Sequence, residues 1–314
     1  MPSRIQSALD SAGVQASRIE WLWWLMFWVC TAVFVAVVVA LGMAVWRGRS
    51  ADPERPSEAT LMRGVAMATA ATIVILIGLL VASVATGRAI GSPPQADPLT
   101  VQITGYQWWW SVEYVYPQPN LRFTTANELH LPVGRPILFK LRGADVIHSF
   151  WVPNLHGKTD LIPGRENTTW LQIDKPGIYR GQCAEFCGAQ HAHMALVVVA
   201  ESSDDFERWV VAQREPAPAP TTPAQSRGLN VIERGPCALC HTIRGTTAGA
   251  RTAPDLTHFA SRSTIAAGTL PNTPGYLAGW ISDPQHVKPG SRMPPTGLSG
   301  EDLQAVLAYM ETLK

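Results

Sequence analysis

The stretch Cys183-Ala184-Glu185-Phe186-Cys187-Gly188-Ala189-Gln190-His191-Ala192-His193-Met194 decides how this sequence is interpreted. It combines cysteine, histidine and methionine within one short segment. Thiolate and thioether are soft ligands and imidazole is borderline, a set that suits copper or iron and suits magnesium or calcium poorly. The stretch therefore indicates a metal site. The alternative is a disulfide between Cys183 and Cys187, with His191 and Met194 incidental.

A further ligand is available upstream, in Asp145-Val146-Ile147-His148-Ser149-Phe150. An isolated histidine such as His148 is more often structural than metal-binding. Together with the later cluster, however, it completes a set of two thiolates, two imidazoles and a thioether. Two thiolates can bridge two metal ions, which leaves each ion one imidazole and one weaker ligand. Glu185 lies between the two cysteines, so its backbone carbonyl is the natural sixth donor.

The pattern C-x-E-x-C-G-x-x-H-x-x-M, preceded by D-V-I-H-S-F and by Gly105-Tyr106-Gln107-Trp108-Trp109-Trp110, resembles subunit II of the haem–copper cytochrome c oxidases. The resemblance implies an all-β cupredoxin-like domain that holds a binuclear copper centre, CuA. It assigns six copper ligands, with Glu185 acting through its carbonyl: His148, Cys183, Glu185, Cys187, His191 and Met194. His193 is left outside this set.

The same resemblance implies two further roles. Trp108, the first tryptophan of its motif, is implied to be where electrons reach the copper; plain packing in a sandwich core is the alternative. The carboxylate of Glu185 is implied to bind Mg²⁺ at the boundary with the catalytic subunit, since Mg²⁺ prefers oxygen ligands. Pairing of that carboxylate with a nearby arginine is the alternative.

Length and composition set the frame for these motifs. The chain has 314 residues, enough for two soluble domains and membrane segments, and its net charge of +1 gives no reason to expect nucleic-acid binding. Four of the five cysteines form two close pairs, each followed by a histidine, which is typical of metal and haem sites rather than a disulfide framework. The fifth, Cys30, lies in an apolar run and is expected to be a buried hydrophobe.

The N-terminal part, residues 1–90, is predicted to hold a two-helix transmembrane hairpin. Residues 22–46 contain no charge and would span roughly 37 Å as a helix, enough for a bilayer and too long for a cleaved signal. A second apolar run covers residues 65–86. The connector carries Arg47, Arg49, Arg55 and Arg63, so the positive-inside rule places it in the cytoplasm. The remaining chain is then expected on the periplasmic side of a bacterial inner membrane.

Residues 91–213 are predicted to form the copper-binding domain. Short apolar or alternating runs broken by proline and glycine favour a β-sandwich or barrel. The clearest runs are Leu99–Ile103, Ile137–Leu141, Thr168–Ile173 and Ala195–Val199. Residues 202–213 indicate a short helix with a capping pattern at Ser202 and Asp205. Alternating prolines then predict a semi-rigid linker over residues 214–226.

The last domain, residues 227–314, is predicted to bind a covalent haem. Cys237-Ala238-Leu239-Cys240-His241 is C-x-x-C-H, the signature of c-type haem attachment, in which Cys237 and Cys240 join the porphyrin and His241 ligates iron. Met293, in a proline-rich loop, is the candidate second iron ligand. His258, His286 and Met310 are its rivals. Ser299 and Asp302 form another capping pattern, and the spacing of Leu303, Val306, Leu307 and Met310 predicts an amphipathic helix after it. The segment resembles an all-α class I cytochrome c.

Taken together, the resemblances imply a caa-type oxidase subunit II, in which an electron donor is fused to the acceptor. Such a chain accepts electrons from a soluble cytochrome c or similar donor at the haem, transfers them to CuA, and delivers them to haem in subunit I, where O₂ is reduced to water. Subunit III is a further expected partner. In the family, a glutamate before the second membrane helix lies near a proton path; Glu58 is the candidate here, although the usual motif around it is absent.

The sequence disfavours three rival functions. A membrane-bound copper carrier needs an open, labile site and has no use for haem. A nitrous oxide reductase, which also uses CuA, needs a large His-rich domain that the sequence lacks. A quinol oxidase subunit lacks the cysteines that are present here. Residues 97–213 carry a net charge of −3 and residues 226–314 a net charge of +2, so weak attraction between the two domains is expected.

Overall fold

The computed structural model describes residues 5–49, 57–91 and 97–314. Arg55, counted above in the connector, lies outside these ranges. The described chain forms two compact units. One contains residues 17–49 and 57–91, and the other contains residues 5–16 together with residues 97–314.

Two helices make up almost all of the first unit. They are α1 (Val14–Arg47) and α2 (Glu58–Gly91). Both are long and apolar enough to cross a membrane, and their central stretches are not buried by protein. Each contains its predicted segment and extends beyond it at both ends, because helical backbone continues past the apolar core. Cys30 is exposed on α1, which corrects the expectation that protein would bury it.

The second unit begins with a β-sandwich of two five-stranded sheets. In the first sheet the strand order is β3-β2-β1-β5-β8, and in the second it is β4-β10-β9-β6-β7. Only the β1–β5 and β4–β10 pairs are parallel among these described strands. The strands are β1 (Leu99–Tyr106), β2 (Trp109–Val115), β3 (Phe123–Ala126), β4 (Glu128–Pro132), β5 (Ile137–Gly143), β6 (His148–Trp151), β7 (Thr159–Leu161), β8 (Asn167–Leu171), β9 (Gly177–Cys183) and β10 (Ala195–Glu201).

Period-two alternation of apolar side chains builds this sandwich. Along β1, Leu99, Val101 and Ile103 are buried while the residues between them are half-buried. Such alternation directs every second side chain into the space between the sheets. Trp110 and Phe139 are completely buried in the same core. The all-β expectation for this domain is confirmed, and each predicted run falls on a strand, to within three residues at its ends.

The N-terminal segment, to which the sequence analysis assigned no role, is part of the sandwich unit. Backbone amides of Ala12 and Val14 donate to the carbonyls of Asn154 and Gln172, at 2.8 and 3.0 Å. Gly13 forms a bridge with Ile173. Residues 5–16 therefore line an edge of the sandwich before α1 continues.

Helices dominate the rest of the unit. They are α3 (Ser203–Arg214), α4 (Pro223–Arg234), α5 (Pro274–Ser282), α6 (Pro284–Val287) and α7 (Gly300–Met310), with a small hairpin of β11 (Thr264–Ile265) and β12 (Leu270–Pro271). The hydroxyls of Ser202 and Ser299 cap α3 and α7 as predicted. Because α4 begins at Pro223, the predicted linker over residues 214–226 was too long at its C-terminal end.

Candidate metal centre and haem-attachment site

The candidate metal ligands come from three neighbouring pieces of the second sheet. His148 is the first residue of β6 and Cys183 the last residue of β9, two strands that pair at Phe150 and Cys183. The loop from residue 184 to residue 194 leaves β9 and returns as β10. It is closed by a hydrogen bond from the amide of Cys183 to the carbonyl of Met194, 2.9 Å long. Sheet pairing thus brings the upstream histidine to the cysteine loop.

The six predicted copper ligands converge. The two cysteine Sγ atoms lie 3.7 Å apart, and both cysteines are free. Nδ1 of His148 lies 3.9 Å from Sγ of Cys183, and Nδ1 of His191 lies 3.6 Å from Sγ of Cys187. The Met194 sulfur is 3.9 Å from Cys187, and the Glu185 carbonyl oxygen is 3.2 Å from Cys183.

This donor set is arranged as two halves around the cysteine pair. Cys183 has one imidazole and one carbonyl oxygen beside it, and Cys187 has one imidazole and one thioether. Cys183, Cys187 and Met194 are buried, and no carboxylate lies among the converging donors of the described chain. Buried thiolate, imidazole and thioether donors fit copper, and they fit a hard cation poorly.

Hydrogen bonds prepare the ligands for metal. The carboxylate of Asp145 accepts a 2.9 Å hydrogen bond from Nε2 of His148, which leaves Nδ1 facing Cys183. Burial alone would lower the pKa of His148, but its bonds with Cys183 and Asp145 raise it. The contact with Cys187 lowers the pKa of the Cys183 thiol well below its usual value, so Cys183 ionises first. A thiolate is the form that binds metal.

Two glycines that the sequence analysis did not interpret make room for this site. A Cβ on Gly105 would lie 2.8 Å from the His148 ring. Gly188 has a φ of +109°, and a Cβ there would approach Gln107 and Trp108 within 3.0 and 3.2 Å. Their positions inside the G-Y-Q-W-W-W and C-G motifs were the available signal, because glycine permits close approach and positive φ.

Glu185 lies at the edge of the site, and its carboxylate points elsewhere than its carbonyl. The carboxylate accepts a 2.9 Å hydrogen bond from Nζ of Lys158. The expected alternative partner was an arginine, and the partner is instead this exposed lysine. Separately, Nδ1 of His193 lies 2.8 Å from the amide oxygen of Gln190, so this nitrogen is not part of the converging set.

Trp108 contacts the cysteine loop directly. Its indole Nε1 donates a 2.9 Å hydrogen bond to the carbonyl of Cys187, and the residue is 9 % exposed. The side-chain amide of Gln107 donates to the same carbonyl at 2.8 Å. Trp108 is therefore both well packed and bonded to the backbone of a candidate ligand.

The predicted haem-attachment residues lie in the C-terminal domain. Cys237 and Cys240 are free and partly accessible, and His241 follows them directly. Nδ1 of His241 donates a 2.7 Å hydrogen bond to the carbonyl of Pro254, which leaves Nε2 as the ring nitrogen for iron. Burial lowers the pKa of His241, favouring the neutral imidazole that can ligate a metal. These residues fit a covalent haem.

Met293 is half-buried, and its backbone carbonyl accepts a hydrogen bond from Gln285. Its rivals as the second iron ligand are less suited. Both ring nitrogens of His258 lie within 3.1 Å of backbone carbonyls. His286 is exposed, and Met310 is packed into the apolar core of α4, α5 and α7.

One group of contacts was missed by sequence reasoning: the seam where the C-terminal domain meets the cysteine loop. Lys288 donates from Nζ to the carbonyl of Trp108, and the carbonyl of Pro289 accepts from the side chain of Gln190. At the tip of the β11–β12 hairpin, the carbonyl of Ala267 accepts from the amide of Ala195. No local pattern in the sequence signals such long-range pairings.

Comparisons with known proteins agree with this arrangement. The family described as cytochrome c oxidase subunit II, periplasmic domain, matches residues 117–201, and the cytochrome c family matches residues 226–314. Cytochrome c oxidase subunit 2 of Alkalihalophilus pseudofirmus is 33 % identical over 98 % of this chain and 91 % of its own length. The subunit 2 of Bacillus sp. PS3 is 34 % identical over 69 % of this chain and 63 % of its own length.

Among solved structures, the periplasmic domain of subunit II of cytochrome oxidase from Bradyrhizobium japonicum is 37 % identical. The match covers 39 % of this chain and 97 % of the Bradyrhizobium domain, with a TM-score of 0.36.

Two helices long and apolar enough to cross a membrane, a sandwich with buried copper-type donors and a cytochrome c domain together define a membrane-anchored electron-transfer protein. The similarity to the Alkalihalophilus protein extends over nearly the whole of both chains. The chain belongs to the cytochrome c oxidase subunit 2 family, and it is an electron-transfer subunit of a terminal oxidase that works with other oxidase subunits. Its two domain families imply copper and haem c as cofactors.

Proposed function

We propose that this chain takes electrons from a soluble donor at a covalent haem c and delivers them through a binuclear CuA centre to haem in oxidase subunit I, where O₂ is reduced to water. When bound, the haem and the copper pair supply one-electron carriers. The observation that carries the proposal is the convergence of six candidate donors around two cysteine sulfurs 3.7 Å apart.

Two copper ions, rather than one, are supported by the split of the donors. Cys183 and Cys187 would bridge both metals. His148, His191, Met194 and the Glu185 carbonyl would supply the remaining ligands of the copper pair. A single blue-copper site needs only one thiolate. The second thiolate, with its own imidazole neighbour, therefore supports the binuclear assignment.

Electron paramagnetic resonance with copper and haem counts tests this assignment. The full-length chain is the right sample, because residues 5–16 complete an edge of the sandwich. We expect two coppers per chain sharing one unpaired electron, plus one covalent haem. A single copper with a localised spin would overturn the bridging role of the cysteines. Easy loss of copper to a mild chelator would favour the copper-carrier alternative.

In the haem domain, we assign the thioether bonds to Cys237 and Cys240 and the iron ligands to His241 and Met293. Support comes from the hydrogen bond that orients His241 and from the competing contacts of the rival ligands. A methionine ligand raises the haem potential. Replacing Met293 by Ala should abolish the methionine–iron charge-transfer absorption and lower the potential. An unchanged spectrum would transfer the role to another residue.

The remaining assignments concern placement. We propose that both ends of the α1–α2 hairpin lie on one side of the membrane; in support, these ends join residues 5–16 and 97–314, which belong to one compact unit. With the arginine-rich connector in the cytoplasm, that side is the periplasm of a bacterial inner membrane. Comparing protease cleavage of the C-terminal domain in spheroplasts with cleavage in inside-out vesicles tests this placement.

The Glu185 carboxylate is proposed to hold Mg²⁺ at subunit I, and subunit III is the further proposed partner.

A further inference from the structure

A short loop of the cytochrome c domain is seated on the cysteine loop of the sandwich. We name residues 288–293, which end in Met293, the docking loop. Nζ of Lys288 donates hydrogen bonds to the carbonyls of Trp108 and Ala266, at 2.7 and 3.0 Å. The carbonyl of Pro289 accepts a 2.8 Å hydrogen bond from the side chain of Gln190, the residue before His191.

Trp108 is held from both sides of this junction. Its indole nitrogen bonds the carbonyl of Cys187 at 2.9 Å, and its backbone carbonyl bonds Lys288. The end of its ring faces Gly290, where a Cβ would lie 3.6 Å from the indole. One side chain thus touches both the backbone of a candidate copper ligand and the loop that bears the candidate iron ligand.

Lys288 is an unusual residue to find at such a place. It is 3 % exposed, and both of its recorded hydrogen-bond partners in the described chain are backbone carbonyls rather than carboxylates. Burying an ammonium without a carboxylate is costly. A cost of this kind at a junction between two sites suggests a functional reason for the lysine.

We propose that Lys288 is a positioning residue for electron transfer between the two domains: it fastens the docking loop to Trp108 and so holds the haem domain against the copper-ligand loop. This inference rests on the proposed function, since it takes the haem and the copper to be at the assigned sites. In the step itself, one electron leaves the reduced haem iron and reduces the copper pair by one electron. No bond forms or breaks, and no proton is transferred.

The same contacts cover Trp108, so that external donor proteins cannot reach it. With the docking loop in place the side chain is 9 % exposed, so a soluble protein cannot dock on it. Electrons from outside must then enter at the haem domain, and Trp108 works inside the chain.

The test compares Lys288→Met with the native protein in the assembled, detergent-purified oxidase. Methionine keeps the length of the side chain and removes the ammonium. Lys288→Gln is the second variant, because it retains N–H donors without the charge. Lys175→Met is the matched control, since Lys175 is an exposed lysine that donates to the carbonyl of Ser11, away from the junction.

Two readouts are needed. The first is amide hydrogen exchange, by mass spectrometry, of peptides covering residues 105–110 and 186–195. The second is the rate of single-turnover transfer from haem c to copper. Hydrogen bonds from a charged donor are the stronger class. We therefore expect Lys288→Met to speed exchange in both peptides and to slow transfer about tenfold, with Lys288→Gln intermediate and Lys175→Met unchanged.

The outcomes separate this inference from the proposed function. If the native oxidase lacks covalent haem or a copper pair, the proposed function fails. If both cofactors are present and Lys288→Met leaves exchange and transfer unchanged, the positioning role of Lys288 is wrong while the function stands. If Lys288→Met does not assemble, Lys288→Gln decides by the same two measurements. Retained cofactor spectra with slower transfer and faster exchange would support the positioning role.

Discussion

At the scale of single residues, Glu185 offers two functional groups that can be separated by mutation. Its carbonyl lies beside Cys183, whereas its carboxylate pairs with Lys158 on the surface. We expect Glu185→Gln in the assembled oxidase to keep both coppers and to lose Mg²⁺ or Mn²⁺, because only the carboxylate changes. Manganese paramagnetic resonance after growth on Mn²⁺ measures this. Glu166→Gln, at an exposed carboxylate paired with Arg142, is the control. Retained manganese in Glu185→Gln would remove the proposed Mg²⁺ site.

His156 gives a residue-scale prediction about pH. Its ring stacks on Phe150 at 5.0 Å, and both ring nitrogens are buried. Burial lowers the pKa of His156 from 6.5 to about 4. In the unfolded chain the imidazole of His156 is therefore protonated below pH 6.5, whereas in the folded chain it stays neutral down to about pH 4. The free energy of unfolding is therefore unaffected by protonation of His156 above pH 6.5. It falls as the pH drops from 6.5 towards 4, by up to about 3 kcal/mol.

Replacing His156 by Phe should flatten this pH dependence. Phenylalanine keeps the stacking and cannot be protonated, so the difference in unfolding free energy between pH 8 and pH 5 should shrink. Denaturant unfolding of the full-length chain in detergent at several pH values measures it. His286→Gln, at an exposed histidine, should leave the slope as it was. An unaltered slope in His156→Phe would mean that other groups dominate.

At the scale of elements, the sequence predicted what depends on short-range pattern. Alternation along β1 and the hydroxyl caps of α3 and α7 follow from neighbouring residues. The edge formed by residues 5–16 does not, because backbone pairing with Asn154 and Gln172 leaves no periodicity in the sequence. The start of α4 was missed for a related reason. Pro223 was attributed to the proline-rich linker, although proline is also favoured in the first turn of a helix, after a cap such as Thr222.

The crossing of α4 and α7 gives an element-scale prediction. A Cβ on Gly228 would clash with the backbone carbonyl oxygen of Ala305 in α7. The obstructing atom belongs to the backbone and cannot rotate away, so Gly228→Ala must push the two helices apart. We expect a loss of about 3 kcal/mol in unfolding free energy. Thermal unfolding of the full-length chain, followed by haem absorbance, measures the loss.

Gly279→Ala is the matched control for that crossing. Gly279 lies in α5, and a Cβ there would have no neighbour among the described residues within 4 Å. Alanine in a helix interior is favoured over glycine by roughly 0.5–1 kcal/mol, so this variant should be neutral or more stable. Equal losses in both variants would show that the close approach at Gly228 is not what matters.

At the scale of the whole molecule, the copper site could be predicted and the docking could not. Five of the six candidate ligands lie in one stretch of twelve residues, so chemistry and spacing were enough to select them. Lys288 and Trp108 are 180 positions apart, and neither residue type implies the other. Net charge predicted only weak attraction between the domains, whereas the junction is built from short, buried hydrogen bonds.

Those bonds decide how transfer between the domains should respond to salt. Lys288 is buried with its carbonyl partners, and the buried carboxylate of Glu128 accepts hydrogen bonds from the amide and hydroxyl of Ser263, at 2.9 and 2.5 Å. Salt screens exposed charges over about 8–10 Å and acts much less on buried groups. The Arg292–Asp145 pair, 3.7 Å apart, is the partly exposed contact at this junction.

We therefore expect the rate of haem-to-copper transfer to change less than about twofold between 10 and 500 mM salt. Flash reduction of the haem under single-turnover conditions measures it. Reduction of the haem by a soluble donor protein in the same preparation is the comparison, since encounter between separate proteins varies more steeply with ionic strength. A steep salt dependence of haem-to-copper transfer would mean that the contacts between the docking loop and the sandwich break in each turnover. The chain would then work as a tethered donor rather than a docked one.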